Sequence, residues 1–235
     1  MTSNPALAGA PFVTDDPEPV EHQSLEVNYA LSKTWRSGGV SAAIPSVDCN
    51  FGLTSNVQLH AQPRYAYEKD GAESTSGLDN TEIGVKYRLI NNKYNGSNFM
   101  LGVYPMLQLP TGDKKLGGGH GKTQLFLPMW AQYSLERWTI YGGTGYRVNQ
   151  SLDSQNSWFF GGVALYQLSN QFKIGAEIFK ETATTIGDNG TSGFNLGGIY
   201  NLKKDYSVLF SAGKGISNVS PTNNLSAYIA LQVIY

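Results

Sequence analysis

The sequence predicts an all-β protein, a transmembrane antiparallel up-and-down β-barrel of about 12 strands, on three observations. Segments of roughly ten to fourteen residues alternate polar and apolar side chains. Clusters of Gly, Asn, Asp and Ser divide them, and the connections are short at one set of ends and longer at the other.

Composition agrees with a surface solvated by something other than charge. The 235 residues include 27 glycines and 12% aromatics, while only 15% are charged, against about 25% in ordinary soluble domains. The formal net charge of -1 supplies no basic field for phosphates, so nucleic acid is not an expected partner. Cys49 is the lone cysteine and only three histidines are present, which excludes an internal disulfide and gives no zinc spacing; neither a metal nor a cofactor is expected. No apolar run reaches the roughly 18 residues of a membrane helix, and the mean hydropathy is -0.28. A barrel passes that test because only alternate residues meet lipid.

Residues 1–21 carry Asp15, Asp16, Glu18 and Glu21 around Pro17 and Pro19, which disfavours helix and central strand. They read as an extended acidic arm and a candidate lumen plug, leaving 22–235 as a single barrel. The first ten residues show no basic start followed by an apolar core, so a mature sequence with an added Met1 is expected. Strand centres fall near Val27, Val47, His60, Val85, Val103, Met129, Gly143, Val163, Ala176, Gly197, Leu209 and Leu231. Short connections are expected at 52–55, 136–137, 169–171 and 203–205, with 91–98 longer. Long ones are expected at 69–80, 110–121, 149–156, 183–193 and 214–224, with 36–39 the short exception.

Phase follows from the two-residue period of a strand. Ile83, Val85, Tyr87 and Leu89 share one face against Glu82, Gly84, Lys86 and Arg88; Val57, Leu59, Tyr65 and Tyr67 oppose Gln58, His60, Gln62, Arg64 and Glu68. A barrel of this size holds more space than apolar side chains fill, so apolar-out and polar-in is the simpler arrangement. Trp35, Tyr133, Trp138, Tyr146, Trp158, Tyr200 and Tyr206 then form interfacial girdles. The inward set comprises Glu26, Asp48, His60, Arg64, Glu82, Lys86, Arg88, Arg147, Lys173 and Glu177, with the rings of Tyr104, Phe126, Trp130, Tyr141 and Phe179. Such charges either line a wet pore or form a salt-bridge network that fills it. Mixed with rings they suit a small aromatic or amphipathic solute. Asp15, Asp16 and Glu18 are expected to gate the mouth by pairing with Arg64, Arg88 or Arg147.

Several runs in order are family-like: PFVTDDPEP at 11–19, PTGD at 110–113, LPMW at 127–130, YGGTGY at 141–146, GFNLGGIY at 193–200 and LFSAGKGI at 209–216. Over nearly the whole chain they resemble the outer-membrane barrel family labelled for the meta-pathway of phenol degradation. That resemblance implies uptake of aromatic or other hydrophobic compounds across the bacterial outer membrane, and it brings no site residues with it.

The functional expectation is a channel or transporter for small solutes through a charged lumen, not an enzyme. The last strand, with Leu225, Ile229, Leu231 and Val233 on one face before Tyr235, resembles the segment by which the assembly machinery recognises such barrels. Expected partners are therefore that machinery, outer-membrane lipid and the solute. A barrel hydrolase would need a base oriented by a third group, and the nearest pattern, His22 and Ser24, has none in sequence. The glycine run before Lys122 and Thr123 opens a strand and not the helix of a phosphate cradle, and His120 within it reads as solvated. A plugged structural or adhesive barrel acting through its loops is the alternative.

Overall fold

In the computed structural model, residues 10–113, 115–116, 122–150 and 154–235 are described. Among them twelve antiparallel strands follow one another around a barrel: β1 (Leu25–Arg36), β2 (Gly39–Gly52), β3 (Val57–Gln62 and Arg64–Asp70), β4 (Glu73–Leu78 and Thr81–Tyr94), β5 (Ser97–Val103 and Met106–Leu109), β6 (Gln124–Leu135), β7 (Trp138–Val148), β8 (Ser157–Gln167), β9 (Phe172–Glu181), β10 (Thr191–Lys203), β11 (Tyr206–Ser217) and β12 (Leu225–Ile234). Each pairs with its sequence neighbours, and β1 closes the sheet on β12 from Glu26 opposite Ile234 to Trp35 opposite Leu225.

At the turn end, Asn95 and Gly96 join β4 to β5 with φ of 46° and 79°. Both torsions match the right-handed twist of the flanking strands, which is why Asn-Gly occupies two-residue hairpins. This tight turn replaces the longer connection expected at 91–98, because β4 continues to Tyr94 before it reverses. The long loop expected at 69–80 is corrected likewise. Tyr65 opposite Leu78 through Asp70 opposite Glu73 extend the ladder as a hairpin, turned at Gly71 with φ of 57°. The Ser, Gly and Asp content that suggested a loop belongs to a solvated hairpin.

Strands β3, β4 and β5 are each interrupted, whereas the others run unbroken. Pro63 divides β3 and Pro105 divides β5, since proline has no N–H to give the ladder. Their carbonyls still accept, from Val47 N–H at 3.0 Å and from Val85 N–H at 3.1 Å. The register of β2 against β3 shifts between Ala43 and Ser46, around Pro45.

The barrel is inverted relative to a water-soluble protein. Ile178 and Leu196 on the outer face are 62% and 58% exposed, whereas Asn28, Asp48, His60, Glu82 and Glu177 are buried inside. An apolar outside and a polar inside is the arrangement that lipid requires. Aromatic pairs mark both rims of the outer face: Trp138 with Tyr166 at 4.8 Å near the turn end, and Tyr146 with Trp158 at 4.9 Å near the loop end.

Candidate functional site

The arm lies inside the barrel. At the turn end, Ser24 N–H bonds Glu21 O at 3.1 Å, and the chain rises from there into the lumen. Val20 N–H donates to Gln58 Oε1 at 2.9 Å and Gln132 Nε2 to Glu18 Oε2 at 3.3 Å. Asp15 Oδ1 and Asp16 Oδ1 stand 3.0 and 3.6 Å from Lys86 Nζ. Higher up, Thr14 N–H and Val13 N–H donate to the two oxygens of Glu177 at 2.6 and 3.2 Å. Asn195 Nδ2 also serves that carboxylate at 2.6 Å. Phe12 packs with Tyr141, Val163 and Leu165, and Ser211 Oγ donates to Pro11 O at 2.5 Å.

Sequence explains why this segment can be buried. Pro11, Pro17 and Pro19 have no N–H, so the buried chain presents fewer donors that must find partners. Glycines make the room. A Cβ on Gly52 would run into Glu21 O, one on Gly102 would sit 3.0 Å from Pro17 Cβ, and one on Gly161 would run into Thr14 Oγ1.

All thirteen wall residues expected at the lumen lie on the inward phase, and their partners differ by height. At mid-barrel, Asp48 accepts from Asn28 Nδ2 at 3.2 Å and Asn50 Nδ2 at 3.0 Å, with His60 Nδ1 also 3.0 Å away. His60 Nε2 faces Glu82 Oε1 at 3.5 Å, its ring edge-on to Tyr104 with centroids 5.7 Å apart. Lys86 Nζ lies 5.0 Å over the Tyr104 ring. Tyr104, Trp130, Phe126 and Phe159 pack together with Met106 beside Val13 and Phe179. Glu26 accepts from Asn28 Nδ2 at 3.3 Å, and Lys173 is half-buried.

The arm's partners correct the expected pairing with arginines. Each arginine is engaged locally: Arg64 Nε with Asp79 Oδ2 at 2.8 Å, Arg147 Nε with Glu181 Oε1 at 3.2 Å, and Arg88 Nη2 with Ser55 O at 2.6 Å. Lys86, on the same polar phase, takes the carboxylates instead. Gln58, Gln132 and Ser211 are arm contacts and Asn195 supports Glu177, and sequence reasoning placed none of the four in the inward set. Their only signal is their phase in an alternating strand.

The arm divides the lumen into two vestibules. The one toward the loop end has Pro11 and Val13 at its floor, with Phe159, Phe179, Tyr228 and the Arg64–Asp79 pair on its walls. The one toward the turn end is lined by Asp15, Glu18, Glu26, Asp48 and Lys86. Among the described residues no group of three or more His, Cys, Asp and Glu is arranged for a metal. His22 is exposed ahead of β1 and hydrogen-bonds no group among the described residues; His120 lies outside them.

Three solved barrels show the same fold. An outer-membrane channel from Pseudomonas putida F1 superposes with a TM-score of 0.72 at 16% identity, covering 94% of this chain and 98% of that one. The translocator domain of the autotransporter NalP from Neisseria meningitidis gives 0.55 at 12%, covering 91% and 90%. The KdgM porin, solved with disordered oligogalacturonate, gives 0.54 at 11%, covering 90% and 98%. Comparison with curated protein sequences yields no match. Residues 9–231 match the model of the family described as "Putative MetA-pathway of phenol degradation", and the chain belongs to that family.

Proposed function

We propose that this protein is a channel of the bacterial outer membrane that passes small aromatic or amphipathic solutes, and that residues 10–21 are its gate. The observation that carries the reading is the arm itself, lying between two vestibules and held by polar side chains of five different strands. A wall network alone would need no removable segment. The loop-end vestibule combines hydroxyl and amide groups with the rings of Phe159, Phe179 and Tyr228, a lining that suits a solute with one apolar face. The exposed apolar belt suits outer-membrane lipid, and the final strand with Tyr235 suits recognition by the assembly machinery. The fold shared with channels and porins supports transport over catalysis, and the exposed His22 without an orienting group adds no catalytic constellation.

The test is single-channel recording in planar bilayers with the full chain and with a chain lacking residues 1–21, each first shown to fold by its heat-modifiable migration in detergent. The full chain is expected to show brief openings that phenol-sized aromatics block, and the shortened chain long ones. A lumen filled in this way also favours a second reading, a plugged surface barrel acting through its outer loops. Silence from both folded chains would establish that one and defeat the channel.

A further inference from the structure

We infer that the turn-end vestibule is a cation filter, so that among solutes of equal size the channel prefers those bearing an ammonium group over those bearing a carboxylate. The inference rests on the channel reading above. Six carboxylates line this vestibule, those of Asp15, Asp16, Glu18, Glu21, Glu26 and Asp48, against the ammonium of Lys86 and the His60 ring 3.0 Å from Asp48. Lys86 is committed to Asp15 and Asp16. Glu26, by contrast, hydrogen-bonds only the amide of Asn28 among the described residues, at 3.3 Å.

A second observation is independent of the acids. Asn28, on the same lining and 2% exposed, turns its Nδ2 to Glu26 and Asp48, and its Oδ1 has no hydrogen-bond partner among the described residues. Asp15 Oδ2 is likewise buried and without one among the described residues. Buried polar atoms are nearly always satisfied. Two acceptors left open beside an excess of carboxylates mark a place short of donors and positive charge, which an ammonium group supplies together. The imbalance is smaller in the loop-end vestibule, where Arg64 is matched to Asp79 and Arg147 holds Glu181, leaving Asp188 alone in excess. Rings of carboxylates in a low-dielectric wall concentrate cations and exclude anions. Glu26 and Asp48 belong to the wall and stay in the lumen when the arm moves.

The experiment is a reversal-potential measurement on the full chain in a potassium chloride gradient, followed by replacement of the permeant ion with benzylammonium or benzoate, two aromatic probes of opposite charge. Potassium is expected to outpass chloride, and benzylammonium to outpass benzoate, by about tenfold or more. The Glu26→Gln/Asp48→Asn chain is expected to bring both ratios near unity. Glu26→Gln alone, which alters one contact, is expected to lower them severalfold and serves if the double variant does not fold. A conducting channel with ratios near unity, or one equally selective in Glu26→Gln, overturns the filter and leaves the channel reading standing. A folded barrel that never conducts overturns that reading and the filter with it.

Discussion

The tip of the arm and its leg are held by different chemistry. At the tip, peptide N–H groups of Val13 and Thr14 converge with Asn195 on one carboxylate, Glu177, and Gly161 leaves space for Thr14. Along the leg the charges are reversed, because the arm supplies the carboxylates of Asp15 and Asp16 and the wall supplies the Lys86 cation. The tip contacts the unbroken strands β7, β8, β9 and β11, and the leg contacts the interrupted strands β3 and β4 and the unbroken β6. Dipolar donors aimed at an anion tolerate no substitute acceptor geometry, whereas an ion pair can be neutralised from both sides. Each attachment should therefore break under a different substitution and be rescued by a different one.

The largest effect is expected at the leg. Lys86→Met removes the cation and strands Asp15, which is 2% exposed, as a buried charge without its partner. Breaking one side of such a pair costs about 3–5 kcal/mol, so the arm should spend far more time outside the lumen and open probability should rise by two orders of magnitude or more. Adding Asp15→Asn removes the stranded charge and should recover most of the closure. If Lys86→Met gates like the parent chain in the same recordings, the ion pair does not hold the leg.

At the tip, Glu177→Gln keeps shape but replaces one acceptor oxygen with an NH₂ that faces N–H donors. Charge-assisted bonds contribute about 1.5–3 kcal/mol each, and losing one should raise open probability by about tenfold to a hundredfold. No arm substitution should rescue it, because the lost partners are backbone groups. Rescue by Thr14→Ala would place the attachment in the side chain and contradict the tip's assignment.

How far these anchors can be read without coordinates follows from what alternation encodes. The phase of a strand is a local property, and Glu177 and Lys86 both take inward positions because Ile178, Val85 and Tyr87 beside them are apolar. Height and circumferential position depend on register between strands, which alternation does not specify. Hence sequence alone pairs the arm's acids with arginines, although Arg64 and Arg147 already face Asp79 and Glu181 across neighbouring or next-neighbouring strands. The same limit hides the breaks at Pro63 and Pro105. A proline in an alternating run signals irregularity, but whether the ladder resumes beyond it depends on the carbonyl acceptors of adjacent strands. Sequence reads the outer part of this hairpin, 69–80, as a loop for a related reason, since polar strands that project past an apolar belt have little alternation to show.

The smallest effect compares adjacent glycines on opposite faces of β8. A Cβ on Gly161 would meet Thr14 Oγ1 inside van der Waals contact, with Thr14 Cβ at 3.0 Å and Phe159 Cε1 at 2.8 Å, while a Cβ on Gly162 would meet nothing within 4 Å. Both alanines remove the same backbone freedom, so any difference between them reports the space the arm occupies. Gly161→Ala should overpack the tip by about 1–3 kcal/mol, raise open probability by several-fold or more, and be partly relieved by Thr14→Ala, which withdraws the hydroxyl. Gly162→Ala should gate as the parent chain does. Equal gating by the two single variants in bilayer recordings would mean that the arm leaves the Gly161 side of the lumen before the rate-limiting step of opening. Control would then pass to the Lys86 pair.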